Sequence, residues 1–336
     1  MKHAMFQEAR EAKKVLCSLC SHRCLIADGR RGICGVRENR DGVLFTLVYD
    51  KVIARNIDPI EKKPLFHFLP GSLSYSIAAP GCNFRCAHCQ NADISQLPRE
   101  HGGRIRGEAV APDRIVAAAR AARCTSISYT YTEPTIFFEL AYDTARRAAE
   151  EGLKNVFVTN GYITPEALKE IRPFLHAANI DLKGFTDGFY KKICGARLQP
   201  VLDAIRLYKQ FGIWIEITTL VIPGHNDSEA ELREIAQFIR SVGEDVPWHV
   251  SRFHPTYHLT DKPRTPVKTL QRAREIGIEA GLRYVYEGNV PGEGEETLCW
   301  SCKKPLIKRT GYFVEENRVQ GGKCAFCGAM IDGVWE

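Results

Sequence analysis

The sequence predicts an α/β protein: a partial (βα)6-type TIM barrel, preceded by a small cysteine-rich segment and followed by a zinc-ribbon-like domain. Two observations carry this. Short apolar runs alternate with longer amphipathic stretches through the middle of the chain, as in a parallel sheet with crossover helices. The 13 cysteines fall mostly into three clusters, of which one lies inside that alternating region and the other two flank it. A chain of 336 residues is long for one core, so one large domain with appendages is expected.

The boundaries follow from those patterns. Residues 1–72 form the N-terminal four-cysteine segment, 73–290 the barrel, and 291–336 the terminal ribbon. Within the barrel the apolar runs are "LSYSIAAP", "SISYTYTEP", "NVFVTNG", "ANIDLKGF", "IWIEITTLVIPG", "WHVSRFHP" and "RYVYEGN". Between them lie helical patterns such as "PDRIVAAARAAR", "TIFFELAYDTARRAAEEG", "TPEALKEIRPFLHA", "PVLDAIRLYKQFG" and "SEAELREIAQFIRSVG". Several begin at Thr, Ser or Pro and stop near Gly, as helix ends do. Six or seven such units fit a barrel better than an open nucleotide-binding sheet. Barrel active sites collect at the C-terminal ends of strands. The polar residues sit there: the Cys82–Cys89 loop, Glu133, Asn160, Asp181 with Lys183, Thr218 along the fifth run, and His254.

Composition narrows the class. A hydrophobic content of 44% with 26% charged residues is that of a globular protein rather than a disordered one. No apolar run reaches the length of a bilayer span, so no membrane partner is expected. The start, "MKHAMFQEAREAKK", reads as charged and helical without an apolar signal region, and a cytoplasmic location is expected. Cysteines in a reducing compartment are metal ligands more often than disulfides. Residues 1–72 carry 13 Lys and Arg against 8 Asp and Glu, an excess that suits an acidic partner or simply a solvated face. A zinc-dependent nucleic-acid-binding protein would also use such a segment. No aromatic-plus-basic stripe is visible, however, so nucleic acid is not expected as a partner.

The middle cluster, Cys82, Cys86 and Cys89, has the spacing CxxxCxxC in "CNFRCAHCQN". Tetrahedral zinc and cubane iron–sulfur sites usually take four protein ligands, and a site with one position open is the mark of catalysis. Together with "SYTYTEPT", "TNG", "DLK" and "LVIPGHND", this loop resembles the radical S-adenosylmethionine (SAM) superfamily, in its branch of activating enzymes like that of pyruvate formate-lyase. The resemblance implies a [4Fe–4S] cluster on Cys82, Cys86 and Cys89, with S-adenosyl-L-methionine on the open iron. It implies that Glu133 lies near the methionine amino group and Asp181 and Lys183 near the ribose and carboxylate. It also places His254 near the nucleoside, and Asn160 and Thr218 among the cofactor contacts. The activity implied is reductive cleavage of the cofactor to a 5′-deoxyadenosyl radical that abstracts hydrogen from a substrate. An external electron donor of the flavodoxin or ferredoxin type is implied with it. Where many relatives have Gly-Gly before the acidic residue, this chain has Tyr131-Thr132.

The outer clusters read as metal sites. Cys299, Cys302, Cys324 and Cys327 form two CxxC knuckles separated by 21 residues, a zinc-ribbon pattern whose intervening stretch reads as two strands and a turn. Cys17, Cys20, Cys24 and Cys34 are spaced 2, 3 and 9 apart and hold either zinc or an auxiliary [4Fe–4S] cluster, the Gly-flanked "GICG" favouring zinc. Cys194 follows the fourth strand, where a thiol would serve as a catalytic hydrogen-atom donor if it faced the barrel mouth; a plain core position is the other reading, as it is for Cys124.

End to end, four N-terminal cysteines with "GICGVREN", the central loop, "VIPGHND", "SRFHP", "YVYEGN" and the terminal ribbon resemble the radical enzyme of the AmmeMemoRadiSam system. AMMECR-like and Memo-like proteins are then implied partners, and a substrate presented by a partner is expected. A glycyl-radical-enzyme activase is the second reading.

Overall fold

A computed structural model describes residues 1–290, 292 and 294–336. All seven apolar runs are strands. Labelled along the chain, β1 is Ala54–Pro59, β2 Leu73–Ala78, β3 Ser126–Tyr129 and β4 Lys154–Thr159. Then come β5 Ala177–Asp181, β6 Trp214–Val221, β7 Trp248–Arg252 and β8 Val285–Gly288. They form one eight-stranded sheet in sequential order, β2 to β8 parallel and β1 antiparallel on the outer edge of β2. Six helices cross over between the parallel strands: α1 Pro112–Ala121, α2 Phe138–Glu150, α3 Pro165–Ile171, α4 Gln199–Gln210, α5 Glu229–Val242 and α6 Val267–Glu279. The architecture is therefore (βα)6 with a seventh parallel strand, curved but not closed, since β1 and β8 end the sheet without pairing.

Local chemistry explains the elements. Strands β3 and β5 are buried on both faces, as parallel strands covered by helices must be. Thr164 and Ser228 cap α3 and α5 by accepting from the third residue onward, and Pro165 stands at the first helical position of α3. Pro173 ends α3 earlier than the pattern "TPEALKEIRPFLHA" suggests, because its ring cannot continue the helix.

The start of the chain departs from expectation. Lys2–His3, Gln7–Ala9 and Val15–Cys17 are short strands rather than a helix. They pair with Val43–Thr46 and Leu25–Ile26, and these ladders override the weak helical propensity. This module packs beside the ends of β2 and β4. Thr164 donates to the carbonyls of Ser18 and Leu19, and buried Arg37 pairs with buried Glu139 of α2. Arg37 is thus structural and unavailable to an acidic partner.

The gap between β1 and β8 is filled from both directions. Residues 60–68 enter it, where Glu216 of β6 accepts from the backbone N–H of Phe66 and His67, and His67 Nε2 lies 2.6 Å from the Tyr286 hydroxyl of β8. Over this lies the ribbon, with strands β9 Thr297–Leu298, β10 Pro305–Thr310 and β11 Phe313–Asn317, the two strands and turn expected. Phe66, Tyr284 and Tyr286 share one apolar cluster with Leu306, Ile307 and Ile331. Buried Arg309 donates to the Phe66 carbonyl at 2.7 Å and to Thr297 Oγ1, with Glu61 3.8 Å away. No described helix is long and apolar enough to cross a membrane.

Candidate active site

The CxxxCxxC loop leaves β2 at the C-terminal end of the sheet. Gly81 precedes it with φ +103°, and a Cβ there would stand 2.7 Å from Val36 Cγ1, so this close approach of the N-terminal module demands glycine. The loop is held on its other side by a turn around Tyr190–Cys194: Arg85 N–H donates to the Cys194 carbonyl at 2.8 Å and Ala87 N–H to that of Ile193 at 2.9 Å. Arg99 donates to the carbonyls of Cys82, Phe84 and Ile33. These bonds fix the backbone that presents the three sulfurs, and the Ser95 hydroxyl lies 3.2 Å from Cys89 Sγ.

The loop opens onto a cavity of about 500 Å3. Cys82, Cys86 and Cys89 line it together with Glu133, Asn160, Asp181, Lys183 and Thr218. The structure therefore brings eight of the predicted site residues, contributed by four strand ends and by Thr218 within β6, to one place. His254 and Cys194 are not among the lining residues. His254 is half-buried beyond β7, and Cys194 is fully buried behind the loop, its thiol against that of Cys86. Cys124 is buried, as a core cysteine.

Each polar side chain has a physical role. Glu133 Oε1 accepts from Thr135 N–H, Thr135 Oγ1 and Thr159 Oγ1, and Oε2 accepts from Asn160 N–H at 2.8 Å. The carboxylate thus ties the end of β3 to the end of β4, and Oε2 keeps a lone pair for another donor. Burial raises its pKa against those bonds. Asn160 Nδ2 donates to Asn83 Oδ1 at 2.7 Å and lies 3.9 Å from Cys82 Sγ. Lys183 is paired with Asp181 at 2.8 Å. Burial opposes its charge, but the Asp181 carboxylate, with the Cys86 and Cys194 sulfurs when ionised, holds its pKa well above the ordinary value.

Sequence reasoning missed a second group on the same cavity. Buried Lys63 donates to Asp58 at 2.6 Å and sits over the Tyr131 ring, whose hydroxyl also donates to Asp58. Tyr131 has φ +61°, a left-handed conformation that glycine adopts freely and a tyrosine rarely does, and its side-chain bond to Asp58 holds it there. From the ribbon, Tyr312 reaches the cavity rim. The signal for Lys63 would have been a lysine pair, "EKKP", next to an apolar run, which alone reads as a solvated turn.

The donor set fits an iron–sulfur cluster with an open iron. Burial raises the Cys82 thiol well above its ordinary pKa, and the neighbouring Cys194 thiol and burial do the same for Cys86. Three such sulfurs become thiolates only where a cationic group compensates them. Beside them, buried Asn83 Nδ2 and His88 Nδ1 have no hydrogen-bond partner among the described residues. At the other end of the chain, Cys299, Cys302, Cys324 and Cys327 place their sulfurs within 4.8 Å of one another. Their separations of 3.7 Å (Cys299–Cys327) and 3.8 Å (Cys302–Cys324) match a tetrahedron around one ion, whose edge is about 3.8 Å for metal–sulfur bonds of about 2.3 Å.

Comparison with known proteins agrees with this geometry. The sequence profile of the Radical SAM superfamily matches residues 76–239. An uncharacterized protein of Methanocaldococcus jannaschii is 48% identical over 336 residues, 99% of both chains. The pyruvate formate-lyase-activating enzyme of Clostridium pasteurianum is 23% identical over 214 residues, 62% of this chain and 89% of that one. Among solved structures, a radical SAM methyltransferase from Sphaerobacter thermophilus superposes with a TM-score of 0.51 at 18% identity, over 66% of this chain and 68% of that one. That last likeness concerns the fold. Loop, cavity and profile converge on one conclusion: the chain belongs to the radical S-adenosylmethionine superfamily and is homologous to its glycyl-radical activating enzymes.

Proposed function

We propose that this enzyme abstracts hydrogen from a substrate presented by a partner protein, and that it works within the AmmeMemoRadiSam system with AMMECR-like and Memo-like partners. The observation that carries the reading is the shared cavity of Cys82, Cys86, Cys89, Glu133, Asn160, Asp181, Lys183 and Thr218. A [4Fe–4S] cluster with S-adenosylmethionine supplies one-electron cleavage to an adenosyl radical when bound. The chain's own residues do the rest. Cys82, Cys86 and Cys89 would hold the cluster, and the free lone pair of Glu133 Oε2 would receive the ammonium of the cofactor. The Asp181–Lys183 pair offers an acceptor and a donor to hydroxyl and carboxylate groups. Segment 60–68 and the ribbon close the side of the barrel, which keeps water from a reactive site.

Partner presentation is supported by the rim: Tyr312 borders the cavity, and beside it Phe313 is 72% exposed on the ribbon hairpin. Glycyl-radical activation remains the second reading, favoured by homology to the pyruvate formate-lyase-activating enzyme. The test is anaerobic incubation with dithionite and S-adenosylmethionine, with 5′-deoxyadenosine quantified as each partner is added. Formation that is abolished in Cys82→Ala/Cys86→Ala/Cys89→Ala and stimulated by a Memo-like or AMMECR-like protein is expected. A stable glycyl radical on a large partner would instead establish activase function, and no stimulation by either protein would refute the assigned partners.

A further inference from the structure

We infer that Cys17, Cys20, Cys24 and Cys34 hold a second [4Fe–4S] cluster, ligated entirely by protein, rather than a mononuclear zinc ion. The four thiols share one pocket of the N-terminal module. Cys17 N–H donates to the Cys24 carbonyl at 2.9 Å, and Arg23 N–H to the Cys20 carbonyl at 3.0 Å. The backbone N–H groups of His22, Ile33 and Val36 face the sulfurs of Cys20, Cys24 and Cys34, and Cys20 is close enough to feel the charge of all three others.

Sulfur spacing then separates the two metal types. Around one ion the sulfurs must stand about 3.8 Å apart, as they do in the ribbon. In a cubane each thiolate binds a different iron corner, which spreads the sulfurs to roughly 6 Å. Among the described residues, no three of the N-terminal sulfurs lie within 4.8 Å of one another, and neither do the three of the CxxxCxxC loop. Among the described residues, the same fold thus draws one set of four thiols to single-ion spacing and leaves the other two sets outside it. The N-terminal set goes with the loop that carries an iron–sulfur cluster.

Two further features suit a charged cluster there. Arg37, 1% exposed, points Nη1 at Cys17 Sγ at 3.7 Å, and its Nε has no hydrogen-bond partner among the described residues. Four thiolates on a [4Fe–4S]2+ core carry net negative charge, and this guanidinium, shared with Glu139, offers the Cys17 sulfur a hydrogen-bond donor. Arg99 connects this pocket to the first site, since its Nη2 donates both to the carbonyl of Ile33, next to Cys34, and to that of Cys82, each at 2.7 Å.

Acid-labile sulfide tests the assignment in the resting enzyme, without reference to the reaction proposed above. Mononuclear zinc or iron contributes none, so the full-length protein, isolated anaerobically, should release about eight sulfides per chain. About four would overturn the assignment. Cys82→Ala/Cys86→Ala/Cys89→Ala should retain about four sulfides and an iron–sulfur absorption band that S-adenosylmethionine does not alter. If that variant does not fold, the wild-type sulfide count decides alone. A normal eight-sulfide protein that fails to cleave S-adenosylmethionine would reject the proposed reaction and leave this site standing.

Discussion

At the residue scale, the site is built from carboxylates and cations whose partners are already in place. Glu133 spends four hydrogen bonds holding two strand ends together, which is why a residue expected to face the cofactor is also structural. Lys63 gives a pH signature. Burial, only partly offset by Asp58, pushes its pKa down to about 8 from 10.5, so the unfolded chain binds this proton more tightly than the folded one. Below pH 8 both states are protonated and the cost of burying the charge is fully present. Between about 8 and 10.5 the folded protein loses the proton first, and that cost is relieved, by at most about 3 kcal/mol. Urea midpoints should therefore rise over that window in the wild type relative to Lys63→Met; parallel pH profiles would contradict the assignment. Residues at strand ends, such as Asp181 and Asn160, were legible because strand order alone puts them at one mouth. Lys63, Asp58 and Tyr131 were not, because their meeting depends on how residues 54–63 fold against β3.

At the element scale, the parallel strands and the ribbon were readable from local pattern, since apolar runs and CxxC knuckles need only their neighbours. The edge strand β1 and the strands before residue 50 were not, because pairing partners distant in sequence decide them. The ribbon's attachment was equally hidden. It rests on Arg309, buried between Phe66, Thr297 and Glu61. Arg309→Met removes one side of that buried charge pair and leaves Glu61 uncompensated, which should cost about 3 kcal/mol. Proteolysis should then release the ribbon at lower urea than in the wild type. Adding Glu61→Gln should restore part of the resistance, because the carboxylate left without a cation is gone. Equal protection in all three proteins would mean that the apolar cluster alone holds the ribbon.

At the scale of the whole molecule, the two terminal pieces belong to the barrel rather than hanging from it. Segment 60–68 plugs the gap between β1 and β8, and the C-terminal tail covers the plug, with Leu69 N–H donating to the Val334 carbonyl and Val334 N–H to that of His67. This changes how partner presentation can be tested. Deleting residues 291–336 would uncover Phe66, Tyr284 and Tyr286, so the truncated chain should lose the cooperative unfolding of the full protein and aggregate. Lost partner binding in that chain would say nothing about docking. Phe313 separates the two roles, because it is 72% exposed and lies on the hairpin whose Tyr312 borders the cavity. Phe313→Ser should change stability by no more than about 0.5 kcal/mol, as surface substitutions do. Partner-independent formation of 5′-deoxyadenosine should stay at the wild-type level, while the stimulation by partner falls severalfold. Wild-type stimulation in Phe313→Ser would remove the hairpin from the docking surface and leave the ribbon as a seal.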